Sequence, residues 1–348
     1  MAAEETQSMA TQESSSPYNL RWTPPDYTVD EHGKIVGYVN ERQPNNWGRW
    51  GELDQRGTAN LITPEVVRAA AGLIETGEII SCAAPLDATG PVHPTRNGMT
   101  HFYSYTGADF VAGTEMREQF PNFQGTDDYL IMATQASTQW DGLSHFGYDD
   151  TLYNGFWMGN VEQYVGAKRC SIHQMKETLC GRGVFLDVAR HKGVDRLPQG
   201  YGITVADLEA SIETAGVEIK SGDILIFRTG HLAWWYTLRT TAERLSFWDG
   251  EPGLAMECVE WLHEKEIAAV AADNIALEVS PHEEPFDHVY PMHSRLIRDL
   301  GMTLGEIWDL EALSASCARD GRCEFFVAAQ PLNLTNASGT PLNPIVIK

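Results

Sequence analysis

Residues 131–150 read IMATQASTQWDGLSHFGYDD, and this stretch is the best candidate in the chain for a reactive site. An apolar run at 129–133 leads into it, which predicts a strand that delivers a polar loop. Loops on a rigid scaffold commonly carry binding and catalytic groups. The side chains that can hydrogen-bond or bind a metal are Gln135, Gln139, Asp141 and His145, at spacings of 4, 2 and 4. The alternative is a surface turn rich in Asp and Gly, but such a turn has no need of Trp140 and Phe146.

The charge balance restricts the class of partner. With 25 basic and 48 acidic residues, the 348-residue chain has a net charge of −23. Nucleic acids and anionic membranes require a basic face, so neither is expected as a partner. Hydrophobic residues make up 43% of the chain, which is enough for a globular core. We therefore expect a soluble protein.

The N-terminal sequence has no basic start and no apolar run, so no secretory signal is expected and a cytoplasmic location is predicted. The sequence also lacks a run of about 18 apolar residues that would predict a membrane helix. The six cysteines are scattered and form no Cys-x-x-Cys pair, which favours reduced thiols.

The domain organisation is predicted as a disordered segment at 1–17, an extended arm at 18–60 and one domain at 61–348. The arm would lie over the domain or over a neighbouring subunit. Strands alternate with helices in the domain, which indicates the α/β class. Long irregular segments at 87–127 and 229–252 argue against a plain doubly wound sheet and suggest pocket walls or lids.

Local patterns place the regular elements. Predicted strands are 78–83, 183–188, 223–228, 267–272 and 323–329. Predicted helices are 64–77, 204–216, 254–265, 292–300 and 303–313. Thr63 caps the first helix, and Thr204 with Asp207 forms a capping box on the second.

Further polar residues are candidates for the site. His293 stands at a predicted helix start, and Glu306 follows 13 residues later. Glu306 also has a structural explanation, because Thr303-Leu304-Gly305-Glu306 has the form of a capping box. His101 and Tyr103 alternate along the chain and are candidates for the pocket wall, although core or interface aromatics would show the same pattern.

Several common active-site motifs are absent from the sequence. It has no G-x-S-x-G, no P-loop, no G-x-G-x-x-G that opens a helix and no H-E-x-x-H. These absences argue against the common serine hydrolases, nucleotide enzymes and zinc proteases. They leave a hydrolase or lyase site made of carboxylates and imidazoles, with a divalent ion.

The central stretch resembles the H-x-G-T-H-x-D-x-P-x-H motif of the cyclase and bacterial kynurenine-formamidase-like family of metal-dependent hydrolases. Setting the last His of the motif on His145 places its Asp on Asp141, and its first two His fall on Gln135 and Gln139. The resemblance covers 45–347. Further matches are 47–64, Ala272-Asp273-Asn274, Pro291-Met292-His293, Leu304-Gly305-Glu306 and 339–345.

The resemblance implies a swivelling β/β/α fold with an extended N-terminal arm, assembled as a homodimer or homotetramer. It implies hydrolysis of a cyclic amide, a formamide or a lactone, with a bound Zn²⁺ or Mn²⁺. By position, the catalytic residues are His145 as acid/base, Asp141 and Glu306. The implied metal ligands are Asp141, Gln139, His293 and Glu306. The expected substrate-binding residues are Gln135, Gln139, Trp140, His101, Tyr103 and Phe146.

The two glutamines leave three outcomes open, because an amide oxygen is a weaker donor than imidazole. The ion is retained by Asp141, Glu306, His293 and one Gln oxygen, with a shift toward Mn²⁺ or Mg²⁺. Alternatively, the ion is lost and the amides bind a substrate carbonyl. In the third outcome the site is degenerate.

Three functions follow from these outcomes. The first is a metal-dependent hydrolase of a small aromatic or polycyclic substrate. The second is a metal-free lyase, dehydratase or ring-forming enzyme of secondary metabolism on the same scaffold. The third is a non-catalytic binding protein.

Overall fold

The computed structural model describes residues 25–87, 89–281 and 290–348. The strands in these ranges are β1 Ile79–Ser81, β2 Thr100–Tyr105, β3 Asp127–Ile131, β4 Gln139–Asp141, β5 Val161–Glu162, β6 Gly166–Ala167, β7 Cys180–Asp187, β8 Gly202–Ile203, β9 Ile224–Arg228, β10 Gly253–Leu254, β11 Ala269–Ala272, β12 Thr303–Glu306, β13 Glu324–Ala328, β14 Gly339–Pro341 and β15 Ile345–Ile347. The α-helices are α1 Pro64–Ala71, α2 Gly107–Val111, α3 Glu115–Gln119, α4 Val188–His191, α5 Val205–Ala215, α6 His231–Trp235, α7 Thr241–Ser246, α8 Cys258–Glu264, α9 Pro291–His293 and α10 Glu311–Asp320. A π-helix, Ser294–Leu300, follows α9 directly, and four short 3₁₀ turns and helices lie at Gly57–Leu61, Tyr153–Gly155, Met158–Asn160 and Ile172–Met175.

A nine-stranded mixed sheet organises these elements, in the order β1-β15-β13-β7-β9-β11-β12-β4-β14. The four strands β7, β9, β11 and β12 run parallel, and the strands on either side of them pair antiparallel. Every residue of β9, β11 and β12 is buried. Parallel strands with both faces covered are typically apolar runs of this kind. The predicted α/β class is confirmed.

Two predicted helix starts are confirmed by their caps. The Thr63 side chain accepts a hydrogen bond from the N–H of Val66, although α1 ends at Ala71 rather than near Gly77. Thr204 and Asp207 form the predicted capping box of α5, which ends at the left-handed Gly216. Local capping chemistry therefore predicts these helices well.

The predicted helix at 303–313 is wrong at its beginning. Thr303–Glu306 is the strand β12, which pairs with β11 on one side and β4 on the other. Hydrogen bonds to two neighbouring strands replace the capping box that the local sequence suggests, because tertiary pairing overrides a weak local preference. The helix in this region is α10, which begins at Glu311.

The predicted strand at 129–133 also differs from the structure. β3 ends at Ile131, is exposed along its whole length and pairs with β2 in a separate two-stranded sheet. The apolar run therefore does not lead the chain into the main sheet. The segments predicted as irregular contain short elements, namely β2, α2 and α3 in 87–127, and α6 and α7 in 229–252.

The described part of the N-terminal arm lies over its own domain. The indole N–H of Trp47 donates to the Arg298 carbonyl at 2.8 Å, and the Asn46 amide donates to that of Leu300 at 2.9 Å. The Arg298 guanidinium lies 4.6 Å from the Trp47 ring centre. These contacts explain why an arm outside the regular elements carries tryptophan. The predicted disordered segment 1–17 lies outside the described residues.

All six cysteines lie in the described ranges and are free thiols, as predicted. Among the helices of the described residues, none combines the length and hydropathy needed to cross a membrane.

Candidate active site

Strand pairing brings three polar side chains to one face of the sheet. Gln139 of β4 lies opposite Glu306 of β12 in the antiparallel register, and Asp141 follows two residues later. Side chains two residues apart point to the same face of a strand. Gln139 and Asp141 therefore lie within the main sheet, and the prediction that a loop carries them is wrong.

Trp140 points to the opposite face and does not form the predicted pocket wall. Its side chain is fully buried, and its indole N–H donates to the Ala329 carbonyl at 2.6 Å. Its ring centre lies 5.1 Å from that of Trp308. The period of two that places Gln139 and Asp141 together necessarily sends Trp140 into the core.

The Gln139 amide lies between two carboxylates. Its Nε2 donates to Glu306 Oε2 at 2.7 Å and to Asp141 Oδ1 at 3.2 Å. Two buried oxygens of this group, Gln139 Oε1 and Asp141 Oδ2, have no hydrogen-bond partner among the described residues. Buried oxygens without donors indicate a place for a cation or a bound donor.

His293 connects the cluster to a further carboxylate. Its Nε2 lies 3.0 Å from Glu306 Oε1, and its Nδ1 lies 2.6 Å from Glu278 Oε1. Burial alone would lower the pKa of His293, but the hydrogen bonds to Glu278 and Glu306 outweigh it and raise the pKa to about 10. Burial raises the pKa of Glu306 to about 7, and the charge of Asp141 adds to this effect.

His145, the acid/base group that the family resemblance implies, lies at the edge of the cluster. Its Nε2 is 3.6 Å from Asp141 Oδ2, and its Nδ1 is 3.5 Å from Gln135 Nε2. Burial lowers the pKa of His145, although Asp141 acts in the opposite direction. The side chain is 19% exposed. The imidazole is therefore neutral near pH 7 and retains access to a ligand.

Aromatic rings border this cluster. The centre of the Phe146 ring lies 4.9 Å from that of His293 and 5.2 Å from that of His145, and its role in substrate binding stays a prediction. The Tyr290 ring lies 5.4 Å from His293 and 5.9 Å from Phe146. Tyr290 was not predicted, although its position directly before Pro291-Met292-His293 is a sequence signal for it.

The printed contacts of His101 and Tyr103 are outside this cluster, and their role as substrate-binding residues stays a prediction. Both lie on the exposed strand β2. His101 Nε2 pairs with Asp128 Oδ2 of β3 at 2.6 Å, and the Tyr103 ring is 52% exposed. The β2–β3 hairpin forms its own two-stranded sheet.

The sequence does not predict two charged residues that lie near the cluster, Arg96 and Glu251. Arg96 donates to the Gln135 carbonyl, and its positive charge lowers the pKa of His145. The buried Glu251 interacts electrostatically with Glu306 and His293. Both come from segments that the sequence shows as irregular, and no local pattern distinguishes them from other loop residues.

The donor set fits a divalent cation. Asp141, His293 and Glu306 each offer a ligand atom, and these atoms lie within 4.8 Å of one another. Rotation of the Gln139 amide would exchange its nitrogen for the oxygen that now lacks a partner. Carboxylate and amide oxygens with one imidazole suit Mn²⁺, Mg²⁺ or Zn²⁺. Glu278 on the other ring nitrogen of His293 is the typical support of a metal-binding histidine.

Comparison with known proteins identifies the family of this chain. The family model described as "Putative cyclase" matches residues 80–279. The crystal structure of a novel cyclase is 47% identical, over 87% of this chain and 99% of that chain, with a TM-score of 0.83. No curated protein gives a significant match.

Two more distant structures share the fold. Isatin hydrolase A from Labrenzia aggregata, bound to benzyl benzoate, is 17% identical over 80% of this chain and 94% of that chain, with a TM-score of 0.54. Isatin hydrolase A from Ralstonia solanacearum is 18% identical over 80% of this chain and 93% of that chain, with a TM-score of 0.53. The family model covers more than half of the chain, and the 47% identical structure covers nearly all of it. This chain therefore belongs to the cyclase family.

Proposed function

We propose that the protein hydrolyses a cyclic amide, a formamide or a lactone in a small aromatic or polycyclic substrate. The observation that carries this proposal is the position of His145, a half-buried neutral imidazole 3.6 Å from Asp141 at the edge of the Asp141–His293–Glu306 cluster. A base beside a cation site is the arrangement that hydrolysis of a carbonyl substrate needs.

Asp141, His293, Glu306 and the Gln139 amide oxygen would hold a divalent cation, Mn²⁺ or Zn²⁺ in preference to Mg²⁺. Such an ion supplies Lewis acidity to the substrate carbonyl and neutralises the charge of the two carboxylates. Asp141 Oδ2 and Gln139 Oε1, which accept no hydrogen bond from the described residues, are the atoms that support this assignment.

The proton steps use His145 and its neighbours. His145 takes a proton from water, and the resulting hydroxide attacks the carbonyl carbon. Asp141 Oδ2, at 3.6 Å, stabilises the imidazolium that forms. Gln135 Nε2 is placed to donate to the oxyanion. His145 then returns the proton to the departing nitrogen or oxygen as the bond to the carbonyl carbon breaks, which leaves a carboxylic acid and a free amine or alcohol.

The rings of Phe146 and Tyr290 support an aromatic substrate, because both pack around His293. Isatin hydrolases, which share the fold, are named for a cyclic amide fused to a benzene ring. This makes fused-ring lactams, aryl lactones and N-formyl anilines the first substrates to test.

A second candidate is a metal-free lyase, dehydratase or ring-forming enzyme. The observation that favours it is that Gln139 Nε2 donates to both Asp141 and Glu306. Together with the positively charged His293, this amide compensates the two carboxylates without a cation.

Metal analysis and turnover of the purified protein separate these candidates. We expect a bound divalent ion, turnover of at least one of the three substrate classes, and loss of turnover on chelation that Mn²⁺ or Zn²⁺ restores. His145→Ala should lower turnover about 10²- to 10⁴-fold and leave the metal content unchanged. Full activity in this variant would refute the mechanism. Turnover that survives complete metal removal would favour the second candidate, and tight binding without conversion would indicate a binding protein.

We also propose a homodimer or homotetramer. Five large apolar side chains of the β2–β3 hairpin are exposed: Phe102, Tyr103, Tyr129, Leu130 and Ile131. A two-stranded sheet with an exposed apolar surface is typical of a subunit contact. Light scattering of the wild type and of a Tyr129→Asp, Ile131→Asp variant tests this, and an unchanged mass in the variant would contradict the hairpin contact.

A further inference from the structure

A cavity of about 280 Å³ contains two cysteines in its wall. It is lined by residues of β7, α4, α5 and α10, and by Cys323, which directly precedes β13. The second cysteine is Cys317 of α10. Among the described residues, the lining shares none with the candidate active site. The lining residues Thr214 and Gly321 are exposed, so the cavity opens to solvent and a small solute can enter it.

A reversal of the chain after α10 brings the two cysteines together. The helix ends at the left-handed Gly321, whose N–H donates to the Cys317 carbonyl at 2.8 Å. Two residues later, the Cys323 carbonyl accepts from the N–H of Phe185 in β7, also at 2.8 Å. The two thiol groups hydrogen-bond to each other. Helix and sheet hydrogen bonds therefore hold both backbones in place around this pair.

Lys348 adds a positive charge to the thiol pair. Its side chain is fully buried, and its Nζ lies 3.8 Å from Cys317 Sγ and 2.8 Å from Asp320 Oδ1. A nearby ammonium group favours the thiolate form of a cysteine. Asp320 and Asp187 also act on Cys323 and oppose its ionisation. The pair thus lies among charges of both signs, with the lysine on the side of the thiols.

The two cysteines differ in their readiness to ionise. The hydrogen bond with Cys317 lowers the pKa of Cys323, and the charge of Lys348 adds to this effect against partial burial. The same hydrogen bond, together with burial, raises the pKa of Cys317. Burial also raises the pKa of each of the other four cysteines, which are Cys82, Cys170, Cys180 and Cys258. Cys323 is therefore the thiol that ionises first, while Cys317 keeps its proton and donates it to the thiolate.

We propose that Cys317 and Cys323 are a redox-active dithiol that hydrogen peroxide converts into a disulfide. The Cys323 sulfur attacks one peroxide oxygen, the O–O bond breaks, and the departing hydroxide takes up a proton and leaves as water. The Cys317 sulfur then attacks the sulfenic acid on Cys323, the S–O bond breaks, and the second oxygen leaves as water with the Cys317 proton. Two thiols are oxidised by two electrons, and one hydrogen peroxide is reduced to two water molecules.

The test follows each cysteine of the reduced, full-length protein during exposure to hydrogen peroxide. Samples are taken over time and quenched with an alkylating reagent in denaturant, and peptide mass spectrometry reports the state of every thiol. We expect a Cys317–Cys323 disulfide that forms at least about 10-fold faster than Cys180 is oxidised, because the thiolate is the reactive form. Cys180 is the internal reference, since it is partly buried like Cys323 but has a raised pKa. Dithiothreitol should restore both thiols.

Single variants assign the role of each sulfur. In Cys317→Ala the reaction should stop at the sulfenic acid of Cys323, which dimedone traps. In Cys323→Ser, Cys317 should remain a thiol over the period in which the wild type forms the disulfide. Cys180→Ser is the matched control and should form the disulfide like the wild type. Thermal unfolding confirms that each variant folds, and the map of the wild-type linkage does not depend on any variant.

Several results would overturn the proposal. These are oxidation of Cys180 as fast as that of Cys323, a disulfide that joins either cysteine to a different one, sulfinic acid in place of the disulfide, or rapid oxidation of Cys317 in Cys323→Ser. The inference is independent of the proposed function. Because the readout is the state of the thiols and not turnover, failure of the hydrolase proposal would leave this result unchanged.

Discussion

Glu278 Oε1 lies 2.6 Å from Nδ1 of His293, and the same carboxylate accepts hydrogen bonds from the backbone N–H groups of Met292 and His293. The carboxylate therefore fixes both the ring and the backbone of the histidine. Since Nδ1 is occupied in this way, Nε2 is the nitrogen that faces Glu306 and the cation site.

Glu278→Gln should weaken metal binding. The substitution removes the charge that supports His293, and loss of such a supporting contact typically costs 10- to 100-fold in metal affinity. Calorimetric titration of the metal-free protein with Mn²⁺ and Zn²⁺ measures the change. Glu257→Gln, at an exposed glutamate that accepts from the Val205 N–H, serves as the control. Equal affinity in wild type and Glu278→Gln would mean that His293 does not bind the ion.

Gln139→His should increase the affinity for Zn²⁺. The side chain lies between Asp141 and Glu306, and imidazole is a better zinc ligand than an amide oxygen. A gain of only about 1.4 kcal/mol from the new ligand corresponds to a 10-fold increase in affinity. Competition with a chromophoric chelator measures it, and Gln199→His at an exposed position is the control. If the affinity stayed unchanged, Gln139 would not face the cation.

The spacing of Gln139 and Asp141 is enough to place both side chains on one face, because residues two apart share a face of a strand. The same spacing would have placed Trp140 in the core, had the stretch been recognised as a strand. No local pattern marks it as a strand, since β4 is only three residues long and carries two polar residues. Its strand conformation depends on pairing with β12 and β14, which are distant in the sequence.

The local sequence is also a poor guide at Glu306. Its local sequence favours a capping box, and only its resemblance to a family motif points to the site. Neither local sequence nor a family motif points to Glu251, because its place near Glu306 and His293 depends on contacts between distant loops. Local patterns predict caps and apolar strands, whereas contacts between distant loops require the folded chain.

Gly305→Ala should destabilise the protein and disturb the site. A Cβ at Gly305 would lie 2.6 Å from Ala271 Cβ and 2.7 Å from Trp140 Cζ3, too close for any real contact. Overpacking of a core costs about 1–3 kcal/mol of the free energy of unfolding. Because Glu306 is the last residue of β12, a shift of this strand should also weaken metal binding. Urea unfolding measures the first effect and metal titration the second.

The control for this variant is Gly98→Ala, where the added Cβ would meet nothing within 4 Å. It should unfold at the same urea concentration as the wild type. A Gly305→Ala protein that matched the control in both measurements would contradict the tight packing of β12 against Trp140.

His231→Phe should make the protein more resistant to acid. His231 is fully buried, stacks on Phe247 at 4.3 Å, and has no hydrogen-bond partner for either ring nitrogen among the described residues. Burial lowers its pKa to about 3, and the charge of Arg196 acts in the same direction. Between pH 6.5 and 3 the unfolded chain therefore binds a proton at this residue that the folded protein does not, so acid favours unfolding.

The size of this effect follows from the pKa difference. Each pH unit below 6.5 costs the wild type about 1.4 kcal/mol at this residue, so lowering the pH from 6.5 to 5 costs about 2 kcal/mol. His231→Phe keeps the ring stacking and lacks the titrating group, and His231→Gln lacks the titrating group without adding volume. In urea unfolding at both pH values, each variant should lose about 2 kcal/mol less than the wild type. An equal loss in all three proteins would show that His231 is protonated in the folded state or reaches a partner there, and its pKa would then not be depressed.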